Sequence, residues 1–427
     1  MTTRDRRKEF AIEIVRCLQN RGFEALWAGG CVRDQLLGTE PKDYDVVTNA
    51  LPPEVQLTFS DRPSLAIGAA FGVISVRGPR GAGQVEVATF RHDVSYSDGR
   101  RPDEVIFSTA EEDAQRRDFT INGLFYDLIT DQIVDYVGGR ADLEKRVIRA
   151  IGSPTQRFSE DKLRMLRAIR FATTLDFEID AGTYQAIADH AAGIHVVSAE
   201  RIAGELRQML VHANRTKAVE LLRQCKLLDE LFPEVSSVAN DDLTSDTLVS
   251  AAWNRSRAAL DALAQPEFSV ALATLLWEVR QQPDSTMETI DKICRRWRLS
   301  NDETSTIVWL LEHDAAVRNS RNESWPHLQR ILIHQHISSL LQLADAIVSA
   351  HGISHDDVDF CRRKLTLPAE QLNPNPLISG DDLLAAGLPS GKWFKQILDR
   401  VRDAQLEGEI HDQDEAIELA QSIWKQS

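Results

Sequence analysis

The sequence predicts an α+β fold, with a small mixed β-sheet in the first third of the chain and helices from there to the end. Three observations carry this. Apolar residues alternate in short runs up to Val137, the pattern changes to a helical period after Gly138-Gly139, and the helical stripes continue to the C-terminus. At 427 residues the chain exceeds one ordinary core, so two to four domains are expected.

Taken in order, residues 5–21 read as an amphipathic helix with Phe10, Ile14, Val15 and Leu18 on one face and Gly22 as its stop. Ala25-Leu-Trp27 is a short strand that runs through Gly29-Gly30 into a helix ending at Gly38. Asp43-Tyr-Asp-Val-Val-Thr48 is the next strand, followed by a helix entered through Pro52-Pro53. Phe71–Arg77 and Gln84–Phe90 flank Gly-Pro-Arg-Gly-Ala-Gly and predict a hairpin, and Arg91–Pro102 reads as a long mobile loop. A helix over 108–117, capped at Ser108 or Thr109, leads to a second hairpin, Leu124–Ile129 and Ile133–Val137. Beyond it, Ser159 is expected to cap a helix running from Glu160 to Phe171, and Ser198 starts another. Polar breaks near 235–247, 281–286, 319–326 and 370–378 separate the remaining helices.

Composition narrows the class. No run approaches the ~20 apolar residues of a membrane span, and MTTRDRRKEF has no apolar signal core, so a membrane partner is not expected. Five scattered cysteines without Cys-x-x-Cys spacing argue against a disulfide framework or a zinc cluster and fit a reducing cytoplasm. The net charge of −16 opposes a polyanion partner, but residues 140–170 hold nine basic side chains against four acids, a local stripe that suits a nucleic acid held at one place. His313-Asp314 stands on an amphipathic helix with no accompanying ligand series and is read as structural.

The chemistry lies in the head. Residues two apart on a strand share a face, so Asp43 and Asp45 look out together while Tyr44 and Val46 face the other way. Paired acids repel unless a cation lies between them, and metal ions with phosphate oxygens are the usual solution. Gly29 and Gly30 leave backbone N–H groups open to an anion, a cradle where a triphosphate fits, with Arg33 beside it. Glu86 is a candidate third carboxylate if its strand pairs beside the Asp43 strand. Two divalent ions held by Asp43 and Asp45 would perform in-line nucleotidyl transfer, one activating the attacking hydroxyl and the other supporting the leaving pyrophosphate, with Arg116 or Arg117 neutralising charge. Asp161 and Arg164, three apart on one expected helix face, offer an acceptor beside donors. That pair complements the amino group and ring acceptor of cytosine or adenine and rejects uracil and guanine. An ordinary surface salt bridge is the plainer reading of such a pair.

Gly29-Gly-Cys-Val-Arg-Asp34 with Asp43-Tyr-Asp45, Arg116-Arg-Asp-Phe-Thr-Ile-Asn122, Val137-Gly-Gly-Arg-Ala-Asp-Leu143, Glu160-Asp-Lys-Leu-Arg164 and Ser198-Ala-Glu-Arg-Ile202 occur in this order. The series resembles the five motifs of class II tRNA nucleotidyltransferases and bacterial poly(A) polymerases, in the DNA polymerase beta superfamily. The resemblance implies a nucleotidyltransferase head over 1–148, then an elongated all-helical neck (149–212), body (213–320) and tRNA-binding tail (321–427). It implies Mg²⁺-dependent, untemplated addition of C and A from CTP and ATP to the 3′ end of tRNA, with pyrophosphate released and the acceptor stem bound. By motif, Asp43 and Asp45 bind metal, Asp161 and Arg164 read the base, and Asp118 and Asn122 lie near the ribose. Ile67–Val73 lacks the arginines of the poly(A) polymerase subtype, and the intact 93–102 loop disfavours a CC-only enzyme. An A-adding member of a split system stays open, as does the oligomeric state.

Overall fold

The computed structural model describes residues 3–68, 71–95, 104–240 and 250–425. The chain divides into two compact units, Met1–Ser236 and Ser237–Ser427. In the first, the elements run α1 (Thr3–Asn20), β1 (Ala25–Ala28), α2 (Gly30–Leu36), β2 (Asp45–Thr48), α3 (Pro52–Thr58), β3 (Ser64–Gly68), β4 (Val73–Arg77), β5 (Gln84–Thr89), β6 (Arg91–Ser95), β7 (Glu104–Phe107), α4 (Ala110–Gln115), β8 (Leu124–Asp127), β9 (Gln132–Asp135) and α5 (Gly139–Lys145). Then follow β10 (Val147–Ile148), α6 (Pro154–Glu160), α7 (Leu163–Thr174), β11 (Glu178–Ile179), α8 (Ala181–His190) and α9 (Ala199–Leu210).

Seven strands form the sheet, in the order β3-β4-β5-β2-β1-β8-β9. It is mixed because β2 and β5 run parallel while the other neighbours are antiparallel. Phe10, Ile14, Val15 and Leu18 of α1 are all buried, as their helical spacing requires. Trp27 is buried between the rings of Tyr44 and Tyr126, with centroids 4.8 and 5.7 Å away. Gly139 opens α5 so close to the preceding turn that a Cβ there would lie 2.1 Å from the Thr120 carbonyl oxygen. Only glycine fits that position.

Four expectations are corrected. The expected loop over 91–102 begins as β6, which pairs antiparallel with β7, and residues 96–103 lie outside the described residues. Of the Ile67–Val73 stretch, 69 and 70 also lie outside them. Ser159 does not start a helix: it sits inside α6, donating to the Thr155 carbonyl, and Ser153 is the N-cap, accepting from the Gln156 N–H. The chain breaks after Glu160, so Asp161 lies between α6 and α7, and Asp161 and Arg164 do not share a helix face. Asp161 Oδ1 accepts from the Leu163 N–H at 3.0 Å, satisfying a donor at the start of α7 as an N-cap side chain does. Helical continuity after Gly138-Gly139 is also interrupted by the two-residue strands β10 and β11, which pair parallel.

On α7, Leu163, Leu166, Ile169 and Ala172 go into the core with Met165, Ala168 and Phe171. Arg164, Arg167 and Arg170 follow each other at three-residue spacing along one side of the helix.

In the second unit Phe268–Arg280 is a central helix, buried at every position from Phe268 to Val279. Ala251–Ala262, Asn301–Arg318 and Ile337–His351 pack around it. Asp314 is buried and accepts from Trp277 Nε1 at 2.7 Å and Arg318 Nε at 2.8 Å, and His313 Nδ1 lies 2.8 Å from the Trp309 carbonyl. His313-Asp314 is thus absorbed by packing. Ile378, Leu383, Ile397, Val401 and Ile423 close a further core near the C-terminus. No single helix among the described residues is long and apolar enough to cross a membrane.

Candidate active site

A cleft of about 550 Å³ opens in the first unit, lined by Gly29, Gly30, Arg33, Asp45, Arg116, Arg117, Asp118, Asn122, Asp161 and Arg164, ten of the twelve residues singled out from sequence. Leu163, Arg167, Arg170, Phe171 and Arg201 complete its wall. Asp43 and Glu86 are not among the lining residues.

Strand register builds its floor. Asp45 pairs with Ala28 on one side and with Glu86 on the other, so one carboxylate lies both next to the glycine turn and opposite the second acid. Gly29 turns with φ +69°, and a Cβ there would lie 2.9 Å from Arg117 Nη1. A side chain here would strain the turn and push the Arg117 guanidinium aside. The alternation expected over 43–46 holds, with Asp43 and Asp45 exposed and Tyr44 and Val46 buried. Asp43, however, precedes β2. Its carboxylate is 83% exposed and lies 3.4 Å from Arg7 Nη1 of α1, on a separate depression. Among the described residues, the acids stand on adjoining positions without closing into a coordination shell of three or more ligands.

The carboxylates nevertheless interact. Although Asp45 keeps an exposed surface, the protein around its carboxylate displaces much of the surrounding water, and with the nearby charges of Glu86 and then Asp43 this raises its pKa to about 6 against a partial offset from Arg117. A cluster of hard oxygen donors with unrelieved mutual repulsion fits a divalent cation of the magnesium or calcium kind.

Arginines form the walls, seven of them against the three acids Asp45, Asp118 and Asp161, which makes the cleft cationic in an acidic chain. Each is aimed by a buried or half-buried acceptor. Asp113, fully buried, receives Arg116 at 2.6 Å and Arg117 at 2.9 Å, and although burial alone would raise its pKa these two guanidinium groups hold it below the usual carboxylate range. Arg33 Nη1 donates to Asn122 Oδ1 at 2.7 Å, Asn122 Nδ2 donates to Asp118 Oδ1 at 3.0 Å, and Arg167 reaches Asp118 Oδ2 at 2.6 and 2.8 Å. Burial opposes the Asp118 charge, but Arg167 and the Asn122 amide outweigh it and bring the pKa to about 2. The Phe171 ring lies beneath three guanidinium groups, with Arg33, Arg167 and Arg170 at 5.1, 5.3 and 4.0 Å from its centroid.

Asp161 and Arg164 line the same cleft without pairing. Asp161 Oδ2 accepts from Arg201 Nη2 of α9 at 2.7 Å, whereas Arg164 Nη1 donates to Glu160 at 2.7 Å and its Nη2 to the Arg116 carbonyl at 3.1 Å. An acceptor and a donor, each fixed by its own partner, are what reading the edge of one base demands.

Arg167, Arg170, Phe171 and Arg201 were not singled out from sequence. The three-residue arginine spacing on α7 was the available signal. Asp113 carried none, since it reads as one more acid in the first turn of α4.

The fold and the cleft together define a nucleotidyltransferase of the poly(A) polymerase head type. The family model "Poly A polymerase head domain" matches residues 25–149. "Probable RNA and SrmB-binding site of polymerase A" matches 176–238, and a tRNA nucleotidyltransferase domain 2 model matches 269–420. The CCA-adding enzyme of Enterococcus faecalis is 31% identical over 417 residues, covering 95% of this chain and 94% of that one. The CCA-adding enzyme of Bacillus pumilus is 31% identical over 411 residues, covering 96% and 95%. Among solved structures, the CCA-adding enzyme of Bacillus stearothermophilus in complex with CTP superposes with a TM-score of 0.73 at 26% identity, covering 97% of each chain. The chain belongs to the CCA-adding enzyme family of class II tRNA nucleotidyltransferases. Divalent metal use goes with that family.

Proposed function

We propose that this protein adds C and A to the 3′ end of tRNA from CTP and ATP without a nucleic-acid template, using Mg²⁺. The observation that carries this reading is one cleft in which a glycine turn, an acid at the edge of β2, and an acceptor and donor fixed at opposite partners all face a common space. Supporting it, the relatives from Enterococcus faecalis and Bacillus pumilus are CCA-adding enzymes, and similar solved structures hold CTP, ATP or tRNA.

Asp43 and Asp45, with Glu86 behind them, would hold Mg²⁺, which when bound supplies charge neutralisation and an activated hydroxyl for in-line displacement. The chain's own residues do the rest. Gly29 and Gly30 admit the triphosphate close to backbone, and Arg33, Arg116 and Arg117 set positive charge where the pyrophosphate leaves. Asn122 and Asp118 stand at the ribose. Asp161 accepts from the exocyclic amino group of cytosine or adenine and Arg164 donates to the adjacent ring acceptor. A head over 1–148, a neck over 149–212, a body over 213–320 and a tRNA-binding tail over 321–427 would divide the labour.

The test is incubation with tRNA lacking its terminal CCA, tRNA ending in C, tRNA ending in CC and an unrelated RNA, with CTP and ATP separately and together. Ordered addition of C, C and A to the first substrate is expected. Reaction only on the CC end would mark an A-adder, and long homopolymers on any RNA a poly(A) polymerase.

A further inference from the structure

We propose that a second depression in the head, on the Asp43 side of β2, seats the last nucleotides of the acceptor RNA, with Arg7 and Arg77 holding their phosphodiesters and Pro63 and Leu65 carrying a sugar or base. The inference rests on the function proposed above and names where its RNA end lies.

The depression has a volume of about 450 Å³ and is lined by Arg7, Asp43, Pro63, Leu65, Ser75 and Arg77, together with Gly83 and Gln84. It is continuous with the acids through the sheet. Directly paired residues share a face, and the register runs Asp45 to Glu86 to Ser75 to Leu65 across β2, β5, β4 and β3. Arg77 is two residues beyond Ser75 and pairs with Gln84, so it joins the same face. A row of side chains therefore leads from the carboxylates into this depression.

The two acids divide the space between them, Asp45 lining the nucleotide cleft and Asp43 lining the second depression. In-line displacement needs the attacking hydroxyl opposite the leaving pyrophosphate. With the triphosphate in the cleft of Gly29 and Gly30, the depression lined by Asp43 offers the hydroxyl a separate approach to the acids. The chemistry there suits an RNA end. Arg77 is exposed, and its guanidinium has no side-chain hydrogen bond or ion pair among the described residues. Arg7 holds the Lys42 carbonyl at 3.0 Å and Asp43 at 3.4 Å from a side chain that is 42% exposed, so its guanidinium also has room for a phosphate. Leu65, 58% exposed beside Pro63, offers apolar surface that a sugar or base would cover.

The experiment uses the full chain with tRNA lacking CCA as the probe. Arg77→Ala should raise the Kd for this RNA about tenfold and reduce the slope of log K against log salt by roughly 0.7, one single-strand phosphate contact. CTP affinity by equilibrium dialysis should stay within about twofold, since Arg77 lies outside the nucleotide cleft. Arg77→Lys should recover most of the RNA affinity and the slope, which a merely structural role would not predict. Unchanged RNA affinity and slope in a folded Arg77→Ala protein that still transfers nucleotides would overturn the inference and leave the activity standing. Equal loss of CTP and RNA binding would overturn it too, by assigning the depression to the nucleotide. Wild-type protein that adds nothing to the RNA would sink the proposed activity, and this inference with it.

Discussion

Asp45 shows how a site side chain is held at odds with stability. In the unfolded chain an aspartate titrates near 3.8, and here partial desolvation, Glu86 and Asp43 raise it to about 6. The native state therefore binds more protons than the unfolded state between these values. Ionising Asp45 costs nothing below the lower one and its full penalty above the upper one. Asp45→Asn should then abolish transfer yet raise Tm at pH 8 without divalent ions, with the gain vanishing near pH 4 by thermal melting. Added Mg²⁺ should raise the wild-type Tm and leave the variant's unmoved. A wild-type melt indifferent to Mg²⁺ would remove Asp45 from the ion's ligands. At this scale much was legible, because Gly29, Gly30, Arg33, Asp43 and Asp45 are close in sequence and their types demand each other. Where the Asp43 carboxylate points was not legible, since it depends on Arg7, which lies 36 positions earlier on another element.

Elements decide how Asp161 and Arg164 stand. The stretch around Asp161 has no glycine or proline to announce a break, so its periodicity reads as one helix from Glu160 onward. Tertiary contacts override that reading, with Asp161 tied to the N–H of Leu163 on one side and to Arg201 of α9 on the other. The β6–β7 ribbon was missed for a related reason: β7 is exposed or half-exposed along its length, and a strand without a buried face shows no clean apolar alternation. Arg201→Ala should leave Asp161 free to turn from the cleft, lowering discrimination for C and A over U and G roughly 5- to 100-fold in competition assays. Triphosphate affinity should change far less. Discrimination as sharp as wild type would mean that the helix break alone fixes Asp161. In the second unit, Asp314 joins two helices through Trp277 and Arg318, and burial raises its pKa despite Arg318. Asp314→Ala, which leaves the half-buried Arg318 guanidinium and the Trp277 indole N–H without their acceptor, should cost roughly 1–3 kcal/mol in urea unfolding. Were His313-Asp314 a metal-ligand pair, the same substitution would instead remove an activity with little change in stability.

Over the whole molecule, charge is partitioned. The chain carries −16 in total, yet seven arginines converge on one cleft, and each that is described above has a buried or half-buried acceptor fixing its direction. A net negative chain disfavours RNA away from its basic surface. Salt should act on the two substrates differently. An RNA end and stem contact exposed cations and release counterions, so raising salt from about 50 to about 200 mM should weaken tRNA binding by at least about tenfold. CTP bound in the cleft would meet recessed, pre-aimed guanidinium groups, where screening ions enter poorly, so its affinity should fall by less than about threefold over the same range. Filter binding for the RNA and equilibrium dialysis for CTP, on one preparation with Mg²⁺ fixed, measure both. Equal salt slopes would mean that the cleft is as open to ions as the outer surface, and that its arginines serve as a diffuse electrostatic field instead of a fixed mould for one nucleotide.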